Sequence, residues 1–557
     1  MRPVGRPFSS SYLAGEAAAR TFIPLDFRAR PPRIARTRAA AERRIDPAAL
    51  GVLRSQQAGL PASAARAANL EALARGQTAV VATGQQVGLF LGPLYSFYKA
   101  ASAIAVARAL EAEAGVRTVP LFWLQTEDHD FAEIASCQVA GADGAPLKLA
   151  LGDGAGDEAV DEARVSVAQR RLGPEVEALL DTLSETLRPS PAATETLALL
   201  RAHYTTGRSL AGAFAGLLGA LFAEEGLLIF DPRVEPIARR AAPIHRAAIE
   251  GAEAIERRLQ ARGAELAAAG FDEQIPPRPG CALNFFHRGG PTGPRFRLAR
   301  PGTEKSTAAD DWTLSGSGET IPRAALEEAL SCEPLRFSTS ALLRPILQDT
   351  LLPVAAYVGG PAEVSYFAQL GPLYEHFGMA PPLIVPRARF RCLDAQTRRR
   401  LSELSLTTDD LGRPRDQLLS RLAGARPPGT PDPVALAERV RAQIAPQVAE
   451  IAEAIASALP ADKNLARAAA RTRAIVTRAL DRLTGRYARQ LAERNGVALA
   501  RLRRLEAALL PDGVPQERFY AWPSLAGRHG PAALKRAVLD RLAASGPFSG
   551  ALEEIAL

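Results

Sequence analysis

Two short stretches carry the residue types that chemistry needs. The first is TGQQVGLFLGPLYSFYK (83–99), with Thr83, Gly84, Gln85, Gln86, Gly88, Gly92 and Pro93 in its loop and Lys99 at its end. Glycine has no Cβ, so its backbone can approach a ligand closely or take a positive φ. Free N–H groups at the start of the helix that follows favour an anion such as phosphate. The loop is neither a GxxxxGK(S/T) phosphate loop nor a GxGxxG fingerprint. Its bland alternative is a tight strand-to-helix connection, with Lys99 a surface cation two turns into the helix. The second stretch is Glu127-Asp128-His129-Asp130. Three carboxylates and an imidazole in four residues perturb one another strongly unless solvated or paired. They suit binding a substrate ammonium, holding Mg²⁺, or general-base work. No HxxxH or second-histidine spacing supports a resident metal, and the bland alternative is a solvated turn. A third cluster sets Arg344, Gln348 and Asp349 among apolar residues, ahead of a Gly359-Gly360-Pro361 turn and Glu363. Glu363 in a first helical turn also complements the helix dipole, and Arg344 also reads as one half of a buried ion pair.

These clusters need elements to hold them. QTAVVAT (77–83) and TVPLFWL (118–124) are short apolar runs, and the segment from Tyr95 to about Gly115 reads as a helix. Strand, helix, strand in about 50 residues is a βαβ unit with parallel strands. Ligands bind beyond the carboxyl ends of such strands, where the glycine loop and the EDHD cluster both fall. LLIFDPR (227–233) is a third strand candidate after a largely helical region from 147, and 239–269 reads as one long helix. PVAAYVG (353–359) and PPLIVPR (381–387), separated by a glycine turn and a helix, repeat the βαβ layout. Between 270 and 334 short alternating runs such as CALNFF and FRLAR predict a small β-rich insertion. The first 75 residues read as an irregular arm followed by alanine-rich helices. After the break ARPPGTPDP, Val440, Ile444, Val448, Ile451, Ile455 and Leu459 form one helical stripe, resumed by Leu480, Leu483, Tyr487 and Leu491 beyond Pro460. That pattern predicts a coiled-coil-like hairpin of two long helices, with Pro446 kinking the first or breaking it early.

Composition sets the outer bounds. The chain has 557 residues, enough for three or four domains, and its 47% hydrophobic and 23% charged residues exclude a disordered chain. Its 68 basic and 60 acidic residues give a net charge of +8. Only Lys99, Lys148, Lys305, Lys463 and Lys535 are lysine, and arginine on solvated helical faces accounts for the charge without nucleic acid. Four widely spaced cysteines (Cys137, Cys281, Cys332, Cys392) fit neither a disulfide framework nor a structural zinc site. No signal peptide and no apolar run of spanning length is evident, so a soluble cytoplasmic protein is expected. From the residues alone, this is an α/β protein with a phosphate-friendly, carboxylate-bearing cleft, suited to nucleotide-dependent chemistry.

TGQQVGLFLGPLYSFYK, VPLFWLQTEDHDFAEI and LRPILQDTLLPVAAYVGGPAEVSYFAQLGPLYEHFG followed by PLIVPR together resemble the bacillithiol biosynthesis cysteine-adding enzymes, the BshC family. LNFF at Asn284 and PDGVPQER near Gln516 add to the resemblance. It implies a Rossmann-like parallel-sheet core akin to nucleotidylyltransferases and class I aminoacyl-tRNA synthetases. It also implies a connecting insertion and a C-terminal helical coiled coil that pairs subunits into a homodimer. The expected layout is a core over 1–390 interrupted at about 270–334, a coiled-coil domain over 391–510, and a segment over 511–557 returning to the core. The activity it implies is ligation of L-cysteine to glucosaminyl-malate through an amide bond, the last step of bacillithiol synthesis. By fold-level analogy, ATP, with Mg²⁺ compatible, would activate the cysteine carboxylate. On this reading the loop from Thr83 to Pro93, with Gly359 and Gly360, holds the nucleotide. Lys99 neutralises developing charge, and Glu127, Asp128, His129 and Asp130 bind the amine and take its proton. Arg344, Gln348, Asp349, Tyr357, Glu363, Asn284 and Arg387 form the substrate side, the arginines meeting malate or phosphate oxygens. The rival from another class is a non-enzymatic nucleotide-binding scaffold that recruits a partner through its coiled coil. Neither a membrane nor a nucleic acid is expected as partner.

Overall fold

The computed structural model describes residues 6–142, 144–152, 164–303, 311–422, 433–458, 463–493 and 496–557. The expected break at 425–432, the interruption at 459–462 and Lys305 lie outside them. The core sheet has five strands: β1 (Ala79–Gln85), β2 (Thr118–Leu124), β3 (Leu228–Phe230), β4 (Val354–Gly359) and β5 (Leu383–Pro386). All pair in parallel, in the order β3-β2-β1-β4-β5. Helices cover both faces, so the strands are buried along nearly their whole length and read as continuous apolar runs rather than alternating ones. Helix α1 (Tyr95–Ala114) joins β1 to β2 and ends at Gly115, whose φ of +67° lets its amide close on Glu111 O at 2.9 Å. The strand order reverses between β1 and β4. Their carboxyl ends therefore diverge into a crevice, the place where such sheets bind ligands.

The insertion supplies the crevice's far wall. Cys281–His287, Arg295–Ala299, Trp312–Leu314, Thr320–Ile321 and Phe337–Thr339 make a five-stranded antiparallel sheet, extending a little past the expected end at 334. Alternation sorts its side chains. Phe296 and Leu298 join Phe286, Trp312 and Leu314 in a separate apolar core, while Arg295 and Arg297 share the opposite face.

Several sequence expectations change. Residues 239–269 form two helices, Glu235–Glu250 and Ala252–Ala268, broken at Gly251. A Cβ at Gly251 would come within 2.8 Å of His376 Nε2, so close packing, invisible in an alanine-rich run, sets the break. The first 75 residues are helical almost from Phe8 onward. The region after 147 opens with a strand, Pro146–Ala150, paired to Ser136–Ala140. Helix α2 (Pro433–Ala458) runs through Pro446 unbroken. That proline sits on an exposed side, where the carbonyl that loses its partner can be hydrated. Helix α2 packs along α3 (Lys463–Glu493), with Arg441 ion-paired to Asp481. The chain then returns. Leu534, Val538 and Leu542 pack into the apolar cluster that includes α1, and Leu552–Ala556 pairs in parallel with Arg389–Leu393. Among the described residues no helix is long and apolar enough to cross a membrane.

Candidate active site

A cavity of about 430 Å³ opens at the carboxyl ends of β1, β2 and β4, within the range of small-molecule sites. Strand ends deliver its polar side chains: Gln85 and Gln86 from β1, Glu127 to His129 from β2, and Glu363 from the turn after β4.

Its floor is a buried ion pair. Lys99 is 2% exposed, and its Nζ donates to Gly84 O (2.7 Å) and Gln85 Oε1 (2.8 Å) and pairs with Glu363 Oε2. All three ammonium protons thus have acceptors within the protein. Burial pulls the lysine below its ordinary pKa, against the pull of Glu363. For Glu363 burial raises the pKa, but Lys99 and the hydroxyl and amide donors around it win, and the net shift is downward. Those donors are Tyr357 Oη (2.5 Å) and the Gly360 amide (2.7 Å). Arg344 completes the network: it donates to Tyr366 Oη (2.7 Å), Tyr357 Oη (3.2 Å) and Gln348 Oε1 (3.0 Å).

The acidic cluster forms one side wall. Glu127 accepts from the Thr339 amide (3.2 Å) and hydroxyl, which ties β2 to the insertion. Asp128 accepts from Gln86 Nε2 (2.8 Å) and the His129 amide (2.7 Å) and pairs with Arg295 Nη1 at 3.3 Å. Arg295 is almost fully buried; burial pushes its pKa down to about 10, against Asp128 and Glu127. His129 Nδ1 lies 3.4 Å from Arg295 Nη1. Burial, then Arg295, lowers the imidazole below 6.5, so the ring is neutral at pH 7.

The crevice thus brings together Lys99, Glu127, Asp128, His129, Gln85, Gln86, Gly360, Glu363, Arg344 and Arg387 from the sequence reading. The others sit behind or beside it. Thr83 donates its hydroxyl to Val358 O (2.8 Å), tying β1 to β4. A Cβ on Gly84 would meet Trp123 O at 2.9 Å, on Gly88 it would meet Gly92 O at 1.9 Å, and on Gly92 it would meet Leu89 O at 3.0 Å. These glycines make room for the protein's own backbone, and Pro93 follows them on the way into α1. The loop amides of Gly88, Leu91, Gly92 and Leu94 donate to Gln86 O (3.1 Å), Tyr204 Oη (3.3 Å), Leu89 O (2.9 Å) and Tyr520 O (2.7 Å). Left-handed backbone falls at Phe90 and Leu91 (φ +51° and +56°), not at the glycines. Asp130 caps the short helix Phe131–Ile134 through the Glu133 amide (3.2 Å). Asn284 bonds His245 (2.9 Å), Asp349 accepts from Tyr374 Oη (2.6 Å) and Gln348 (3.1 Å), and Gly359 packs on Glu363. Burial raises Asp349 to about 6. Tyr357 lies beneath the cavity, bridging Arg344 and Glu363. Arg387 reaches the wall, but its fork is filled bidentately by Glu517 (2.7 and 2.8 Å).

The sequence reading missed Phe285, Arg295, Arg297, Thr339 and Arg518, all of which line the cavity. The alternation in RFRLA held the signal for the two insertion arginines. Among the described residues no group of three or more His, Cys, Asp or Glu converges to hold a metal.

Comparison with known proteins agrees with this architecture. The domain family described as "Bacillithiol biosynthesis BshC, N-terminal Rossmann-like domain" matches residues 5–388, and "Bacillithiol biosynthesis BshC, C-terminal coiled-coil domain" matches 390–548. A Koribacter versatilis protein is 35% identical over 460 residues, 82% of this chain and 81% of its own. One from Salinibacter ruber is 31% identical over 505 residues, 90% and 88% of the two chains. Both bear the name "Putative cysteine ligase BshC".

Proposed function

The chain belongs to the BshC family of bacillithiol biosynthesis, and from that premise we propose that it is a cysteine ligase that joins L-cysteine to glucosaminyl-malate. The observation that carries the reading is the cavity at the β1/β4 divergence, where two carboxylates and a neutral imidazole share one wall. The glucosamine nitrogen attacks the activated carboxyl carbon of cysteine, the C–N bond forms, the activating group leaves, and nitrogen loses one proton. Glu127 attracts the incoming ammonium by charge, and the ammonium gives one proton to solvent before its nitrogen attacks. His129, with Nδ1–H turned to Asp128 Oδ1 (3.5 Å), keeps Nε2 free to take the proton released as the C–N bond forms. Lys99 is a positioning residue that locks the ends of β1 and β4 together through Glu363. None of the four cysteines lines the cavity, as suits a reaction in which cysteine is substrate.

Activation by ATP is part of the proposal and rests on the strand order, whose reversal point is where nucleotides bind in such sheets. The amides of Gly88, Leu91, Gly92 and Leu94 are spent internally, so no step is routed through those four to the phosphates. Mg²⁺ then enters with the triphosphate. The enzyme works in the cytoplasm as a homodimer. Ile451, Ile475 and Leu483 are 60, 56 and 65% exposed on the hairpin, and a second copy would cover them.

The test supplies purified protein with cysteine, glucosaminyl-malate and ATP, and follows bacillithiol by thiol labelling and nucleotide products by chromatography. Bacillithiol with AMP supports the adenylate route. No bacillithiol, even with cell extract added, overturns the ligase reading.

A further inference from the structure

Most cations at the crevice are already neutralised from within. Lys99 faces Glu363, Arg295 faces Asp128, Arg387 is gripped by Glu517, and Arg344 is held by two tyrosine hydroxyls and Gln348. Two lining guanidinium groups differ. Neither guanidinium, that of Arg297 or that of Arg518, makes a hydrogen bond or an ion pair among the described residues; that of Arg297 stacks on Phe285 at 4.5 Å and that of Arg518 lies 5.9 Å from the Tyr95 ring.

Their carboxylate neighbours are engaged elsewhere. Glu517, next to Arg518 on the short helix Gln516–Phe519, is bidentate on Arg387. Asp128 is taken by Arg295 and Gln86. The fold also presents the two arginines independently. Arg297 stands on the insertion sheet directly opposite Phe285, and Arg518 comes from the returning C-terminal segment. Two separate forks suit two separate planar anions, each of which a guanidinium grips bidentately. Glu127 lines the same cavity and supplies a negative charge. This pattern complements a ligand with one amine and two carboxylates.

We propose that Arg297 and Arg518 form a clamp for the two carboxylates of the malyl group, and so select a dicarboxylate-bearing amino sugar. The proposal rests on the ligase reading above. Its test is calorimetric binding of glucosaminyl-malate to the full-length protein and to R297M, R518M and R518K, with ATP and cysteine titrated in parallel. Each methionine variant is expected to bind glucosaminyl-malate roughly ten- to a hundred-fold more weakly, the range for charge-assisted hydrogen bonds. R518K should recover part of the loss, and cysteine and ATP affinities should not move. Glucosaminyl-lactate, which lacks one carboxylate, should become insensitive to one of the two substitutions. Arg518 is exposed, so R518M decides the matter even if R297M fails to fold. Unchanged glucosaminyl-malate affinity in R518M, or a loss confined to ATP, overturns the clamp and leaves the ligase reading intact. Failure of the unaltered protein to bind glucosaminyl-malate overturns both.

Discussion

Replacing Lys99 by methionine keeps the length of the side chain and removes the cation in direct contact with Glu363. Lys99 and Glu363 side chains are 3 and 12% exposed, so the carboxylate left behind has little water to turn to. Removing one partner of a buried pair costs about 3–5 kcal/mol, because the survivor stays buried and uncompensated. Gly84 O and Gln85 Oε1 lose their donor as well. We expect K99M to lose about 3–5 kcal/mol in urea unfolding at pH 7, and K99M/E363Q to lose less than the two single changes summed. Acid adds a second reading. In the unaltered protein Glu363 titrates below its ordinary value, so between its folded and unfolded pKa the unfolded chain binds more protons and stability rises with pH. That contribution is present at neutral pH and is lost as pH falls through the folded value. Without Lys99 the largest influence lowering Glu363 is gone, so its pKa moves upward and the loss of its charge on acidification begins at higher pH. A K99M cost below about 1 kcal/mol, what an exposed pair is worth, would refute the buried-pair reasoning. So would additivity of the two changes within about 0.5 kcal/mol.

Other outcomes follow from the same geometry. With His129 as the base and its pKa lowered by burial and Arg295, the acid limb of kcat/KM should lie at lower pH than an ordinary imidazole gives. H129Q should remove that limb and lower kcat by about 10²–10⁴-fold, as measured in the coupled ligase assay. Asp128 is the chief group raising His129, so D128N should move the acid limb to still lower pH; a limb that moves upward contradicts the assignment. The Arg387 and Glu517 side chains are 2 and 6% exposed, so E517Q should cost about 3–5 kcal/mol in the same unfolding experiment. Placing charge on the hairpin's exposed apolar positions, as in I475E/L483E, should convert dimer to monomer in light scattering, with thermal unfolding of the core unmoved.

How far the site was legible depended on which contacts were local. Strands β1, β2 and β4 show in sequence because fully covered parallel strands are uninterrupted apolar runs, and their ends mark where ligands meet the sheet. Lys99, Glu127, Asp128, His129 and Glu363 were found for that reason. Whether a glycine makes room for a ligand or for its own chain is not written locally. Gly88 faces Gly92, four residues away, and only folding shows that a side chain there would strike Gly92 O. Partners distant in sequence were likewise invisible. Glu517 fills Arg387 from 130 positions away, and the insertion brings Arg295 to Asp128 across 167.

The same distinction changes which cations face a ligand. A charge can be buried only with an internal counter-charge or a full set of hydrogen-bond partners. Arginines set among apolar residues, such as Arg344 and Arg387, are therefore the ones the protein must satisfy itself. Arg344 and Arg387 are 6 and 3% exposed, and both have internal partners. A cation left for a substrate must instead tolerate water when the site is empty. It belongs on a half-covered strand face or an exposed short helix, where Arg297 and Arg518 stand. By that reasoning the substrate side of this crevice is built by the insertion and the returning C-terminus, while the Rossmann-like strand ends supply its floor and its base.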